Sequence, residues 1–150
     1  MERTVYLNIG SNIGDRHAHI RAAVAALESS FKGFAKGYRL SKPIESEAWG
    51  YSSQNRFINI GMAIYGLDLD DIGGPEGLLH LTQKAELSVC PDSHRNADGS
   101  YRDRKVDIDI ICIDNLEYHS PRLSIPHPHM TERPFVMIPL TELKNTKYGN

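Results

Sequence analysis

Two carboxylates, Asp107 and Asp109, stand two residues apart in a stretch from Tyr101 to Ile113 that is entered through a basic segment, continues in mostly β-branched residues and is ended by Asp114-Asn115. The run predicts a buried strand with a turn after it. Side chains alternate across a strand, so the two carboxylates share a face, with Cα atoms roughly 6.5–7 Å apart. Oxygen ligands so placed can converge on a divalent cation, and two ions held about 3.5–4 Å apart can clamp a polyphosphate. Arg104, just upstream, could meet phosphate charge that metal leaves uncovered. The chemistry indicated is metal-dependent phosphoryl transfer. The competing reading is the wet face of an antiparallel strand. Period-two alternation puts Ile111 and Ile113 on that same face, which argues against a purely solvated stripe.

Other chemistry-bearing residues carry two readings each. Gly10-Ser11-Asn12 follows a strand, as phosphate loops do, but lacks the full glycine pattern and reads as a tight strand-to-helix turn. Gln83 and Glu86 fall three apart on a helix and would ordinarily be an exposed polar pair. His127 and His129 flank Pro128 with no cysteine nearby, which favours loop histidines over a metal pair. Arg122 and Arg133 read as surface cations, and Trp49 and Phe57 as core aromatics. No Ser-His-Asp or Cys-His arrangement can be singled out.

The elements that must position these residues follow from periodicity. Val5, Leu7 and Ile9 alternate with Thr4, Tyr6 and Asn8, a half-buried strand that stops at a turn over Gly10–Gly14. Asp15 is a suitable N-cap for a helix whose stripe is Ile20, Ala23, Val24, Leu27 and Phe31. Gly33 and Gly37 bracket a weaker strand signal continued by Tyr38–Leu40, and Ser41 to Gly50, interrupted by Pro43 and Gly50, is a loop. Phe57–Tyr65 reads as a strand with Ile58, Ile60, Met62 and Ile64 toward the core. Asn59 lies on its other side, exposed or in a site. A turn-rich passage from Gly66 to Gly74 leads to a helix beginning near Pro75, with Leu78, Leu81, Thr82, Ala85 and Val89 inside. Asp114-Asn115 is a hairpin candidate with Leu116–His119 as its return strand. Pro126 and Pro128 forbid a regular helix, and Phe135–Ile138 is a short apolar segment that Pro139 ends. Irregular alternation of strands and helices with a hairpin predicts an α+β fold, helices against a largely antiparallel sheet.

The chain of 150 residues is most simply one domain, 1–150, able to bury a core without staples. A net charge of −2 and a pI near 6.4 give no electrostatic case for nucleic acid or an anionic membrane surface. Cys90 and Cys112 have neither metal-ligand spacing nor the density of a disulfide scaffold. No apolar run reaches the length of a membrane span, and no signal-peptide pattern precedes the first strand. A cytoplasmic protein that contacts neither nucleic acid nor membrane is expected.

Taken together and in order, these residues resemble the 6-hydroxymethyl-7,8-dihydropterin pyrophosphokinases of folate synthesis. The resemblance is carried by Val5–Asn12, Asn55–Asn59, Thr82–Glu86, Arg104–Ile110, Arg122–Met130, Arg133–Phe135 and Pro139-Leu140. It implies a three-layer α/β/α sandwich of ferredoxin-like kind and an ATP-dependent diphosphotransferase that releases AMP. By the same resemblance Asp107 and Asp109 hold two Mg²⁺ ions, and Arg104, His127 and Arg133 meet the phosphates. Gln83, Glu86, Ile110, Arg122 and Ser124 line the nucleotide. Phe57 and Phe135 sandwich the pterin ring, Asn59 pairs with its edge, and Ser46, Ala48 and Trp49 complete the edge contacts. Family members often carry tryptophan where this chain has Tyr101. Arg95 and Arg102 are the arginines available to close over ATP from the segment after Glu86. A monomer is expected.

Overall fold

The computed structural model describes residues 1–47, 55–90 and 105–145. Strand β1, Glu2–Ser11, runs up the middle of the main sheet, and the chain then turns into helix α1, Arg16–Phe31. Asp15 caps that helix, its Oδ1 accepting from Ala18 N at 3.1 Å, a contact of the kind worth roughly 0.5–2 kcal/mol. Next come β2, Gly37–Leu40; β3, Ile44–Ser46; and β4, Phe57–Asp68. A 3₁₀ turn at Leu69–Ile72 leads into α2, Gly74–Val89. Strand β5, Asp107–Ile113, is followed by the short pair β6, Tyr118–His119, and β7, Ser124–Ile125. Helix α3, Pro134–Lys144, completes the described chain.

The sheet order is β2-β4-β1-β5, with each neighbouring pair antiparallel. β3 also pairs with β4, farther along the edge that β2 occupies. Between them, Ser41 replaces strand pairing: its N donates to Gly61 O, and its Oγ accepts from Gly61 N at 2.7 Å. This is an α+β architecture. Helices α1 and α2 cover one sheet face, burying Ile20, Ala23, Val24, Leu27, Phe31, Leu78 and Ala85 against Val5, Leu7, Ile9, Ile64 and Ile110. Each large aliphatic or aromatic side chain so buried contributes about 1.5–3 kcal/mol. Helix α3 covers half of the opposite face, with Val136, Leu140 and Leu143 on Tyr6, Ala63 and Ile111.

Several sequence expectations shift. Gly10 and Ser11 belong to β1 rather than to the turn, because both pair with β4. β1 is buried on both faces, so Tyr6 and Asn8 are as enclosed as Leu7. β4 extends to Asp68 through the passage expected to be turns. Ile113 does not share the aspartate face: the β1–β5 register slips between Tyr6 and Leu7, and this bulge sends Ile113 into the core beneath α1 and α2. The segment after Asp114 does not return along β5; Tyr118–His119 pairs instead with Ser124–Ile125. Pro139 does not end the apolar segment at 135–138 but lies inside α3. A proline in a helix interior costs ~3 kcal/mol. Here its buried ring packs where Gly61 has no side chain, since a Cβ on residue 61 would stand 2.9 Å from both Pro139 and Leu143.

Candidate active site

Where α3 ends its coverage, the same sheet face carries the polar residues. Antiparallel partners share a face and bring their Cβ atoms to about 4.5–5.5 Å. The register sets Asn59, Gly10 and Asp107 in one row across β4, β1 and β5, and Gly61, Asn8 and Asp109 in the next. Phe57, one pleat beyond Asn59, pairs with Ser46 of β3. The strands alone therefore bring a ring, an amide, a hydroxyl and two carboxylates onto one surface. Asp107 and Asp109 are half-buried, whereas Phe57 and Asn59 are buried.

Asn59 is held from two sides. Its Nδ2 donates to Ser46 Oγ at 2.7 Å, and its Oδ1 accepts from Asn8 Nδ2 at 3.4 Å. An amide with both functions partly engaged presents the remaining donor and acceptor to a ligand in a fixed order. Phe135, at the start of α3, is half-buried, and the Arg133 guanidinium lies 5.8 Å from its ring centre. Arg133 itself is only 8% exposed, which places a cation inside the rim of the site.

The outer edge of β5 is served by two other segments. Glu86 Oε2 accepts from Ile108 N at 2.7 Å, a short charge-assisted bond to the peptide between the two aspartates. His127 N donates to Ile111 O at 2.7 Å, so the proline-flanked loop docks on the same edge. His127 Nδ1 accepts from His129 N at 3.2 Å, which leaves the neutral ring's proton on Nε2. Burial, with Arg133 and His129 nearby, lowers the His127 pKa to about 4, and Asp107 opposes that shift. His127 is thus a neutral donor near neutral pH, in one electrostatic neighbourhood with Arg133 and Asp107.

Arg122 and Ser124 lie on the β6–β7 segment, and β7 contacts β5. Glu76 at the start of α2 accepts from Tyr118 Oη and Ser120 Oγ, both at 3.0 Å, and its Oε1 lies 3.3 Å from the Arg122 guanidinium. These bonds, led by those from Ser120 and Tyr118, lower the Glu76 pKa. Gln83 is exposed two turns farther along α2, about 10 Å from Glu76 on nearly the same helix face. Ile110 sends its side chain into the main core, so what it can offer a ligand is backbone. Ala48, Trp49, Arg95, Tyr101, Arg102 and Arg104 lie outside the described residues. Two residues of this site, Asn8 and Glu76, were not singled out from sequence, and Gly10 was assigned to a turn rather than to the site. An isolated glycine in a strand pattern was the available signal for Gly10, since it marks a close approach.

Carboxylates facing an amide and an aromatic ring across one sheet, with a neutral histidine and a buried arginine at the rim, make a framework for nucleotide-dependent group transfer. The profile of the family described as 7,8-dihydro-6-hydroxymethylpterin-pyrophosphokinase matches residues 6–145. A 2-amino-4-hydroxy-6-hydroxymethyldihydropteridine pyrophosphokinase of Porphyromonas gingivalis is 36% identical over 140 residues, 93% of this chain and 89% of that protein. Proteins of the same name from Aquifex aeolicus and Bacillus subtilis are 33% and 32% identical, covering 94% and 95% of this chain and 80% and 79% of their own lengths. The chain belongs to this pyrophosphokinase family, whose members are transferases of folate biosynthesis.

Proposed function

We propose that the protein transfers diphosphate from MgATP to the hydroxymethyl group of 6-hydroxymethyl-7,8-dihydropterin, giving AMP and the pterin diphosphate. The observation that carries this reading is the row Asn59–Gly10–Asp107, in which a ring-recognising amide and a metal-type carboxylate share one strand register. Phe57 and Phe135 would stack on the two faces of the planar ring, and Asn59 with Ser46 would meet its polar edge. The hydroxymethyl end of a ring so held is directed toward the β5 carboxylates. There its oxygen attacks the β-phosphorus of ATP, the bond from that phosphorus to the α-phosphate bridging oxygen breaks, and AMP departs with that oxygen. The hydroxyl proton passes to solvent.

Asp107 and Asp109 fit magnesium. Both are hard oxygen donors on one face, and no group of three or more His, Cys, Asp or Glu side chains among the described residues could close a shell without substrate. Magnesium characteristically takes one or two carboxylates and fills its shell with water and substrate phosphate. When bound, two such ions would neutralise the triphosphate and lower the barrier to attack. Arg133 and the Nε2–H of His127 would stabilise charge on the phosphates, and placing them beside bound substrates is catalysis by orientation and electrostatics. Gln83, Arg122, Ser124 and the backbone of Ile110 would receive the nucleoside along the outer edge of β5. The β1-α1-β2-β4-α2-β5 frame with its antiparallel order is read as ferredoxin-like. The experiment is an assay of AMP release with and without the pterin, in the presence and absence of Mg²⁺. AMP formation that requires both supports the reading; ADP as product, or turnover indifferent to the pterin, overturns it.

A further inference from the structure

Asn8 is 4% exposed on β1, between Gly61 of β4 and Asp109 of β5. Its Nδ2 reaches Asn59 Oδ1, while its own Oδ1 is buried without a hydrogen-bond partner among the described residues. An unmet buried acceptor is costly, and an alanine or leucine on a face packed against α3 would carry no such cost. Packing therefore does not account for an amide at this position. Asn59 does account for it. The Ser46 hydroxyl can both donate and accept, so by itself it cannot fix which end of the Asn59 amide carries the donor. With Asn8 in place, turning Asn59 alone would set two NH₂ groups against each other. The two amides can reverse only together.

We propose that Asn8 is a positioning residue for heterocycle recognition: through its hydrogen bond it holds Asn59 in one orientation and so fixes the donor–acceptor order presented to the edge of the bound ring. The proposal rests on the pterin reading of the site, and its chemistry is that of any planar ring whose edge carries adjacent donors and acceptors. It also ties the ring-binding amide to the strand pair bearing Asp109, because Asn8 is the β1 residue between them.

The test uses Asn8→Leu, which keeps the branched shape and the number of side-chain heavy atoms of asparagine without its polar groups, and Asn8→Ala as a smaller alternative should the bulkier leucine disturb folding. Binding of 6-hydroxymethylpterin is followed by fluorescence, and KM for pterin, KM for ATP and kcat are measured in parallel. The expected result is a rise of about fivefold to tenfold in pterin Kd and KM, with ATP KM and kcat within about twofold of wild type. In an Asn59→Ala background the same Asn8 substitutions change pterin affinity by less than about twofold, because there is no amide left to orient. Unchanged pterin affinity in a folded Asn8 variant, equal losses for ATP and pterin, or losses additive with Asn59→Ala would each overturn the proposal. Wild-type protein that binds no pterin would remove the pterin reading and this proposal together; wild-type binding that Asn8→Leu leaves intact removes only the role of Asn8.

Discussion

Gly10 and Asn59 face each other across β1 and β4 so closely that a Cβ on residue 10 would stand 2.9 Å from Asn59 Oδ1 and 3.1 Å from Phe57 Cδ1. The glycine is needed for room rather than for an unusual backbone angle. Gly10→Ala is therefore expected to displace the amide, the ring or both. Pterin affinity should fall about tenfold or more, with ATP affinity little changed and a stability loss of ~1–3 kcal/mol from overpacking. Parallel titrations with pterin and with MgATP check this; an unaltered pterin affinity in a folded variant would show that the contact does not shape the site.

Glu86 is the second lever. Its carboxylate caps the peptide N–H of Ile108, which lies between the two aspartates on a strand that, among the described residues, has no further neighbour on its outer side in the main sheet. Glu86→Ala strands that N–H and should cost about 1–3 kcal/mol in denaturant unfolding. It should also raise the Mg²⁺ concentration needed for half-maximal activity, because the carboxylates lose the restraint between them. Glu86→Gln keeps an acceptor without the charge and should show smaller changes in both. A Mg²⁺ requirement unmoved by Glu86→Ala would confine the residue to a structural role.

Much of the frame could be read from the chain, and the particular failures have physical causes. The α1 stripe and its Asp15 cap were legible because periodicity and capping are local. The Asn59 side of β4 was legible because its Ile58, Met62 and Ile64 row is unbroken. Gly10 was misread as part of a turn because its reason for being glycine lies on another strand. Pro139 looked like a terminator because its compensating contact is Gly61, 78 positions away in the sequence. The face of Ile113 was lost because a bulge is a property of a strand pair and leaves little trace in one strand. Glu76 gave no signal in the chain because Tyr118, Ser120 and Arg122, which converge on it, lie far away in the sequence.

The carboxylates give the most direct test of the chemistry. Asp107→Ala and Asp109→Ala should each lower kcat by about 10²–10³-fold, the scale seen when one preorganised electrostatic contact to a transition state is lost. Pterin affinity measured without nucleotide should change much less, since Phe57, Asn59 and Ser46 remain. Mg²⁺ titration of ATP binding should show weakened metal dependence in both variants. Near-normal turnover in either would remove that residue from the metal assignment.

His127 sets a pH dependence whose sign follows from its environment. Burial, then Arg133 and His129, holds its pKa at about 4 in the folded protein against an ordinary 6.5, with Asp107 pulling the other way. Between those values the unfolded chain binds a proton that the folded one does not, so stability is full above about pH 6.5 and declines as pH falls toward 4. Glu76 and Asp68, both with lowered pKa values, add their own loss at more acid pH, as their carboxylates are protonated. The His127 part is isolated by comparing wild type with His127→Gln in thermal unfolding at several pH values from 7.5 down to 4. The variant should show a shallower fall in Tm between pH 6.5 and 4 and the same steep loss below it. Parallel curves for the two proteins would mean that His127 is not the group whose protonation the folded state resists.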